Sequence, residues 1–303
     1  MASARKKAQS TKTGGHLNPL VLIISSEVAY GHVGASASRP ALQALGFETG
    51  VLATVNYSNH PGHGGFAGHA NTVKNLRALY SELRKLGVLD RVCAVLSGYF
   101  SSPAQIKFAA QVIDDLKARN KNVVFCCDPV AGDNGRLYVK ENVARAIAKY
   151  FLPRADVLTP NHFELGYLTL QKISSLDGVI KAAASLKISE VLVTSAATTK
   201  KEIATLLVGN AASPAKAKTR IAWMQLHANT PHGLGDSLAA LYLGWRLKGY
   251  EPMKALRHAQ GGLNALLEEA LRHKGSELRF AGMAQALAKP QTKNIRFETL
   301  KLN

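Results

Sequence analysis

Short, continuous apolar runs alternate along the chain with longer stretches whose apolar positions recur at helical spacing. Residues 21–25, 51–55, 92–97, 123–127, 157–159 and 191–194 are unbroken apolar or β-branched runs, as expected of strands covered on both faces. Between them, residues 36–45, 71–86, 103–119, 141–151 and 176–186 predict helices. Strand and helix repeating in units of about 30 residues imply right-handed crossovers. The expected fold is therefore α/β, with a mostly parallel central sheet and helices on both faces. After Thr194 the alternation loosens into an expected antiparallel pair, 204–208 and 220–226, followed by helices from 235 to about 288. No repeat or low-complexity linker divides residues 19–303, which are expected to form one domain. Residues 1–18 carry Arg5, Lys6, Lys7 and Lys12 without an acid and are expected to be a basic, flexible tail, with no apolar face of the targeting type.

Composition narrows the class. With 303 residues, 47% hydrophobic and 19% charged, the chain is globular and long enough for a large core. Three cysteines, two of them the adjacent Cys126 and Cys127, exclude a disulfide framework and a Cys-rich zinc site, and they suit a reducing, cytoplasmic compartment. No apolar run approaches the ~20 residues of a membrane span, so no membrane partner is expected. The excess of 38 Lys and Arg over 20 Asp and Glu, a formal +18, raises the question of nucleic acid. Yet Arg77, Arg84, Lys117, Arg119, Arg145 and Lys149 are spread over predicted helices without interleaved stacking aromatics. No nucleic-acid partner is expected.

In such a sheet, ligands bind beyond the C-terminal ends of the strands. Thr230-Pro231-His232-Gly233-Leu234-Gly235-Asp236-Ser237 opens a helix there. Its two glycines let consecutive N–H groups of Gly233, Leu234 and Gly235 face one point, an anion hole for a transferring phosphoryl group. Asp236, in the first turn, can accept a proton from an attacking hydroxyl, and an Asp of ordinary pKa, ~4, is ionised at neutral pH. The plainer alternative is an ordinary helix start. Asp128 and Asp133 follow one strand, while Asn161 and Glu164 start a helix after the next. Oxygen donors at one sheet edge suit Mg²⁺ with nucleotide phosphates, and turn or capping chemistry is the alternative. No Gly-Lys-Ser/Thr phosphate loop occurs, and Gly62 to Ala67 follow a dinucleotide pattern only loosely, with no strand before them. His60, His63 and His69 on this glycine-rich stretch fit a substrate loop better than zinc. Cys126 and Cys127 fit core packing.

The block from Ser26-Glu27-Val28-Ala29-Tyr30-Gly31-His32-Val33-Gly34 onward resembles the opening motif of pyridoxal kinases. Thr54-Val55-Asn56-Tyr57-Ser58-Asn59-His60, Ser97-Gly98-Tyr99, Asp128-Pro129-Val130, Thr159-Pro160-Asn161, Phe163-Glu164, Val193-Thr194-Ser195 and Gly233-Leu234-Gly235-Asp236 resemble the later blocks in order, over residues 20 to 285. The resemblance implies a ribokinase-like three-layer α/β/α fold and ATP-dependent phosphorylation of the 5′-hydroxymethyl group of pyridoxal. It implies Mg²⁺, a monovalent cation such as K⁺, and a homodimer. By motif, Asp236 would be the catalytic base and Gly233, Leu234 and Gly235 the anion hole. Ser26, Val28, Thr54 and Tyr99 would bind the pyridine ring. Asp128, Asn161, Thr194 and Ser195 would bind nucleotide, with Asp128, Asp133 and Glu164 around the metal.

Three positions depart from the family pattern. Glu27 stands where His is usual, Ala35 where Asn is common and His63 where Tyr is frequent. Glu27, beside Ser26, is expected to alter preference among the B6 vitamers. The nearest rival is a hydroxymethylpyrimidine kinase, whose substrate is another flat nitrogen ring with a hydroxymethyl arm. Rivals of another class are a basic RNA-binding protein or a pyridoxal phosphate carrier on a degenerate kinase fold.

Overall fold

The computed structural model describes residues 18–209 and 218–300, so the predicted tail lies almost wholly outside the described residues. Along the chain run β1 (Leu20–Val28), α1 (Ala35–Ala44), β2 (Glu48–Tyr57), β3 (Gly68–Ala70), α2 (Val73–Lys85), β4 (Val92–Ser97), α3 (Pro103–Arg119) and β5 (Val124–Cys127). A small hairpin, β6 (Gly132–Asp133) and β7 (Arg136–Leu137), leads into α4 (Glu141–Tyr150), β8 (Val157–Leu158), α5 (His162–Thr169), α6 (Leu176–Ser185) and β9 (Glu190–Thr198). Then follow β10 (Glu202–Gly209), β11 (Lys218–Gln225), α7 (Leu234–Leu247), α8 (Pro252–Arg272), α9 (Ala284–Ala288) and β12 (Arg296–Leu300).

One sheet carries the order β12-β11-β10-β9-β8-β5-β4-β1-β2-β3. β2, β1, β4, β5, β8 and β9 are mutually parallel, while β10 to β12 and the short β3 pair antiparallel. The continuous strands are those buried on both faces: residues 21–24 of β1 have no exposed surface. One apolar layer joins that sheet to α2 through α6, and the other joins it to α1 and α7 through α9. The α/β/α sandwich is thus a mixed sheet, parallel through its centre.

Helix boundaries follow local chemistry. Thr72, Ser102 and Ser175 cap α2, α3 and α6 by accepting the N–H three residues on, and Pro103 occupies the first position of α3. α7 is apolar on every side and buried from Ser237 to Trp245, which makes it a core strut. At its far end Arg246 grips Glu190, at the start of β9, through Nη2 at 2.6 Å, and the Tyr242 hydroxyl donates to the same carboxylate at 2.6 Å. The sequence pattern missed β3, the β6–β7 hairpin and β12. β12 is a short, mostly polar edge strand held by pairing with β11 and by Arg296 reaching Glu202 at 2.8 Å.

Candidate active site

β1 pairs with β2 on one side and β4 on the other, so the chain reverses its direction of winding between β1 and β4. The crevice at such a switch point is where the sheet's topology leaves room for a ligand. Two helices start there. Gly34, at φ 58, precedes α1, and Gly233, at φ 88, precedes α7. At 233 a Cβ would overlap the His32 carbonyl oxygen, so sterics as well as φ demand glycine. Gly235 differs: a Cβ there would meet nothing within 4 Å, so the first turn of α7 has an open face.

Asp236 projects from that turn. The backbone N–H groups of Gly34 and of Asp236 itself favour its charged form, and burial nonetheless raises its pKa to about 6. The residue keeps some solvent contact, while its carboxylate is walled in by protein. This corrects the expectation of an ordinary Asp. A Cβ on Gly98, just past β4, would stand 3.7 Å from Asp236 Oδ1, which places the acid over the β4 end.

Asp128 sits beyond β5, 8% exposed, with its N–H bonded to the Ser97 carbonyl. Burial first, then the charges of Asp236 and Glu164, hold its carboxyl well above the usual range, against a favourable Thr159 hydroxyl. Glu164 has a different task. With Asn161 it forms a capping box, and its Oε1 also accepts the N–H groups of Ala131 at 2.9 Å and Gly132 at 3.4 Å. Asn161 Nδ2 donates to the Gly132 carbonyl at 2.7 Å. The pair therefore fixes the loop that follows Asp128. Burial raises Glu164 to about 7 against those N–H groups. Asp133 is on the hairpin, its Oδ1 accepting the Asn134 N–H at 2.7 Å.

A cavity of about 550 Å³ opens between this hairpin, the starts of α5 and α6 and the outer end of β9, with Asp133, His162, Ser175 and Ser195 on its walls. Ser195 and Asn134 line it at φ 50, a conformation that non-glycine residues rarely adopt. Thr194 is tied to the α5 entry by its N–H to the Pro160 carbonyl.

The residues expected around a ring substrate are less uniform. Tyr99 is half-buried, close to Tyr57, whose ring packs on Phe66 with centroids 4.5 Å apart. Ser26 and Val28 lie at the end of β1, Ser26 against Gly34. Thr54 is fully enclosed and donates to the Tyr99 carbonyl at 2.7 Å, so it supports Tyr99 instead of lining an open surface. Glu27 is turned to α1, with Oε2 3.0 Å from Arg39 and Oε1 accepting the Ser36 hydroxyl at 3.2 Å. That removes the ground for expecting it beside the ring. Gly34, Gly98, Thr159 and Tyr57 lie within the motifs, but only their three-dimensional neighbours give them a role.

Among the described residues, no group of three or more His, Cys, Asp and Glu could hold a metal by itself. The donor set still fits Mg²⁺, which takes one or two carboxylates and completes its shell with water and phosphate. The elevated pKa of buried Asp128 beside Asp236 marks a place where negative charge lacks a counter-ion.

Residues 85–279 match the family model described as phosphomethylpyrimidine kinase. The chain is 35% identical over 292 residues to a pyridoxal kinase of Rubrobacter xylanophilus, covering 91% of this chain and 96% of that one. A pyridoxal kinase of Deinococcus radiodurans is 35% identical over 260 residues, covering 82% and 86%. Among solved structures, the pyridoxal kinase of Leishmania donovani in complex with ADP and pyridoxamine superposes with a TM-score of 0.86 at 28% identity, covering 94% of this chain and all of that one. By sequence over nearly its whole length, and by fold, the chain belongs to the pyridoxal kinase family.

Proposed function

We propose that the protein transfers the γ-phosphoryl group of ATP to the 5′-hydroxymethyl oxygen of pyridoxal, giving pyridoxal 5′-phosphate and ADP. The observation that carries this reading is Asp236, set where the starts of α1 and α7 meet and next to the open face of Gly235. The substrate hydroxyl gives its proton to the Asp236 carboxylate as its oxygen bonds to phosphorus, and the bond from phosphorus to the ADP oxygen breaks. Such transfer needs positioning and charge neutralisation more than a strong base. N–H groups of the Gly233–Gly235 turn receive the phosphoryl oxygens, and the helix dipole adds positive potential.

Asp128, with Asp133 nearby on the hairpin, would hold Mg²⁺, which when bound neutralises phosphate charge. Glu164 and Asn161 serve that edge by fixing its loop. The Asp128 carboxylate and Thr159 hydroxyl also offer oxygen donors to a monovalent cation such as K⁺. Thr194 and Ser195 would face the nucleotide phosphates across the cavity they border. Ser26, Val28 and Tyr99 would hold the ring, with Thr54 behind Tyr99. Residues 19–303 act as one kinase domain in this reading, as a homodimer in the cytoplasm. The three cysteines are free thiols, in keeping with a reducing compartment.

The test is direct. Purified protein with ATP, Mg²⁺ and pyridoxal should form pyridoxal 5′-phosphate, read by its absorbance. Hydroxymethylpyrimidine in place of pyridoxal should react more slowly. Product from the pyrimidine alone would transfer the assignment to the rival substrate.

A further inference from the structure

The Glu277 carboxylate, in the segment between α8 and α9, touches two separate segments of the site region at once. Oε2 accepts the backbone N–H of His32 at 3.0 Å, and Oε1 meets His63 Nε2 at 2.5 Å. Gly31, at φ 94, lies under the same group: a Cβ there would stand 2.5 Å from Oε2. Glycine is what lets the acid approach. The Glu277 side chain is only 12% exposed, and the reaction described above makes no use of it.

Its two partners lead to the two halves of the site. The His32 peptide is the floor on which Gly233 turns, since a Cβ at 233 would overlap the His32 carbonyl oxygen. His63 closes a turn of 3-10 helix, Pro61–His63, in the glycine-rich loop of residues 58–67. The same loop also meets the turn that leads into α7, where the His60 ring lies against His232 with ring centroids 3.9 Å apart. Burial, then the neighbouring imidazoles, lower the pKa of His60, which favours its neutral ring.

We propose that Glu277 is a positioning residue that clamps the loop of residues 58–67 closed over the glycine turn and thereby sets affinity for the ring substrate. The identity of that substrate rests on the kinase reading; the clamp itself does not. When only a fraction of molecules hold the closed loop, apparent affinity falls by that fraction. Opening the clamp therefore weakens pyridoxal binding and spares both ATP affinity and turnover of bound substrate.

The test combines Glu277→Gln, which keeps side-chain volume and one acceptor oxygen, with His63→Ala and the double variant. Each single variant should raise KM for pyridoxal about 5- to 10-fold, with kcat and KM for ATP within about twofold. The double variant should be no worse than the worse single one, because both open one contact. Amide hydrogen exchange in residues 58–67 should rise in each variant without ligand. Additive effects of the two substitutions, equal losses in ATP and pyridoxal affinity, or unchanged exchange in this loop would each overturn the clamp. The exchange readout decides it even if the wild-type protein proves not to phosphorylate pyridoxal, an outcome that would instead remove the kinase reading.

Discussion

The backbone N–H of Gly34 favours the charged form of the Asp236 carboxylate, so the first turns of α1 and α7 converge on one acid. Two positive helix ends stabilise its anion, and burial opposes them, which leaves the group poised near neutrality. If Asp236 takes the substrate proton, Asp236→Asn lowers kcat by about 10²–10⁴-fold, the usual range for a general base, with smaller changes in KM. Steady-state kinetics with pyridoxal and ATP measure the split.

The same poise sets a pH dependence. The acid must be ionised to accept a proton, and its pKa is raised to about 6. Activity should therefore fall as pH drops through about 6. In Asp236→Asn the residual activity should lack that limb. A pH–rate profile of kcat for both proteins is the measurement.

Stability runs the opposite way. An Asp whose folded pKa is raised binds protons more readily folded than unfolded, so its contribution is present at low pH and lost as pH rises through the folded value. Asp236, and Asp128 with its pKa held well up, therefore destabilise the ligand-free protein at neutral pH. Asp128→Asn should raise Tm at pH 7.5 and should weaken MgATP binding. Differential scanning fluorimetry at pH 5 and 7.5, with and without MgATP, checks both signs.

The two glycines of the turn should fail differently. Gly233→Ala forces a left-handed φ on a side chain that overlaps the His32 carbonyl, and should cost about 2 kcal/mol or more of stability. Gly235→Ala meets open space, so the protein should fold with unchanged Tm while the new methyl obstructs the phosphoryl group and raises KM for ATP. Thermal melts beside kinetics separate the two.

Glu27→His should leave the ratio of pyridoxal to pyridoxine turnover within about twofold, because Glu27 is engaged by Arg39 and Ser36 on α1. Pairs this exposed contribute up to about 1 kcal/mol, so stability should change little. A competition assay with both vitamers gives the ratio.

Much of this was legible in the chain. Residues 92–97 and 103–119 were read to the residue, the helix because Ser102 and Pro103 mark its start. Asp128, Asn161, Glu164 and the Gly233–Asp236 turn stand out because loops at strand ends are few. What stayed hidden depends on distance along the chain. Glu277 bonds to a residue 245 positions away, and no local pattern announces such a pairing. Glu27 adjoins Ser26 in the chain, and only the assembled fold reveals Arg39 and Ser36 of α1 as its partners. The position of Asp236 was readable; its elevated pKa was not, since burial belongs to the assembled fold.

One consequence of α7 extends beyond the site. The helix carries Asp236 in its first turn and Arg246 in its last, locked to Glu190 at the opposite margin of the sheet. The acid's height above the strands is thus gauged from the far side of the molecule, across about 15 Å of rigid rod. Residues 58–67 meet that frame at His232, ahead of the helix, so a change in the loop leaves the strut, and the acid it carries, in register.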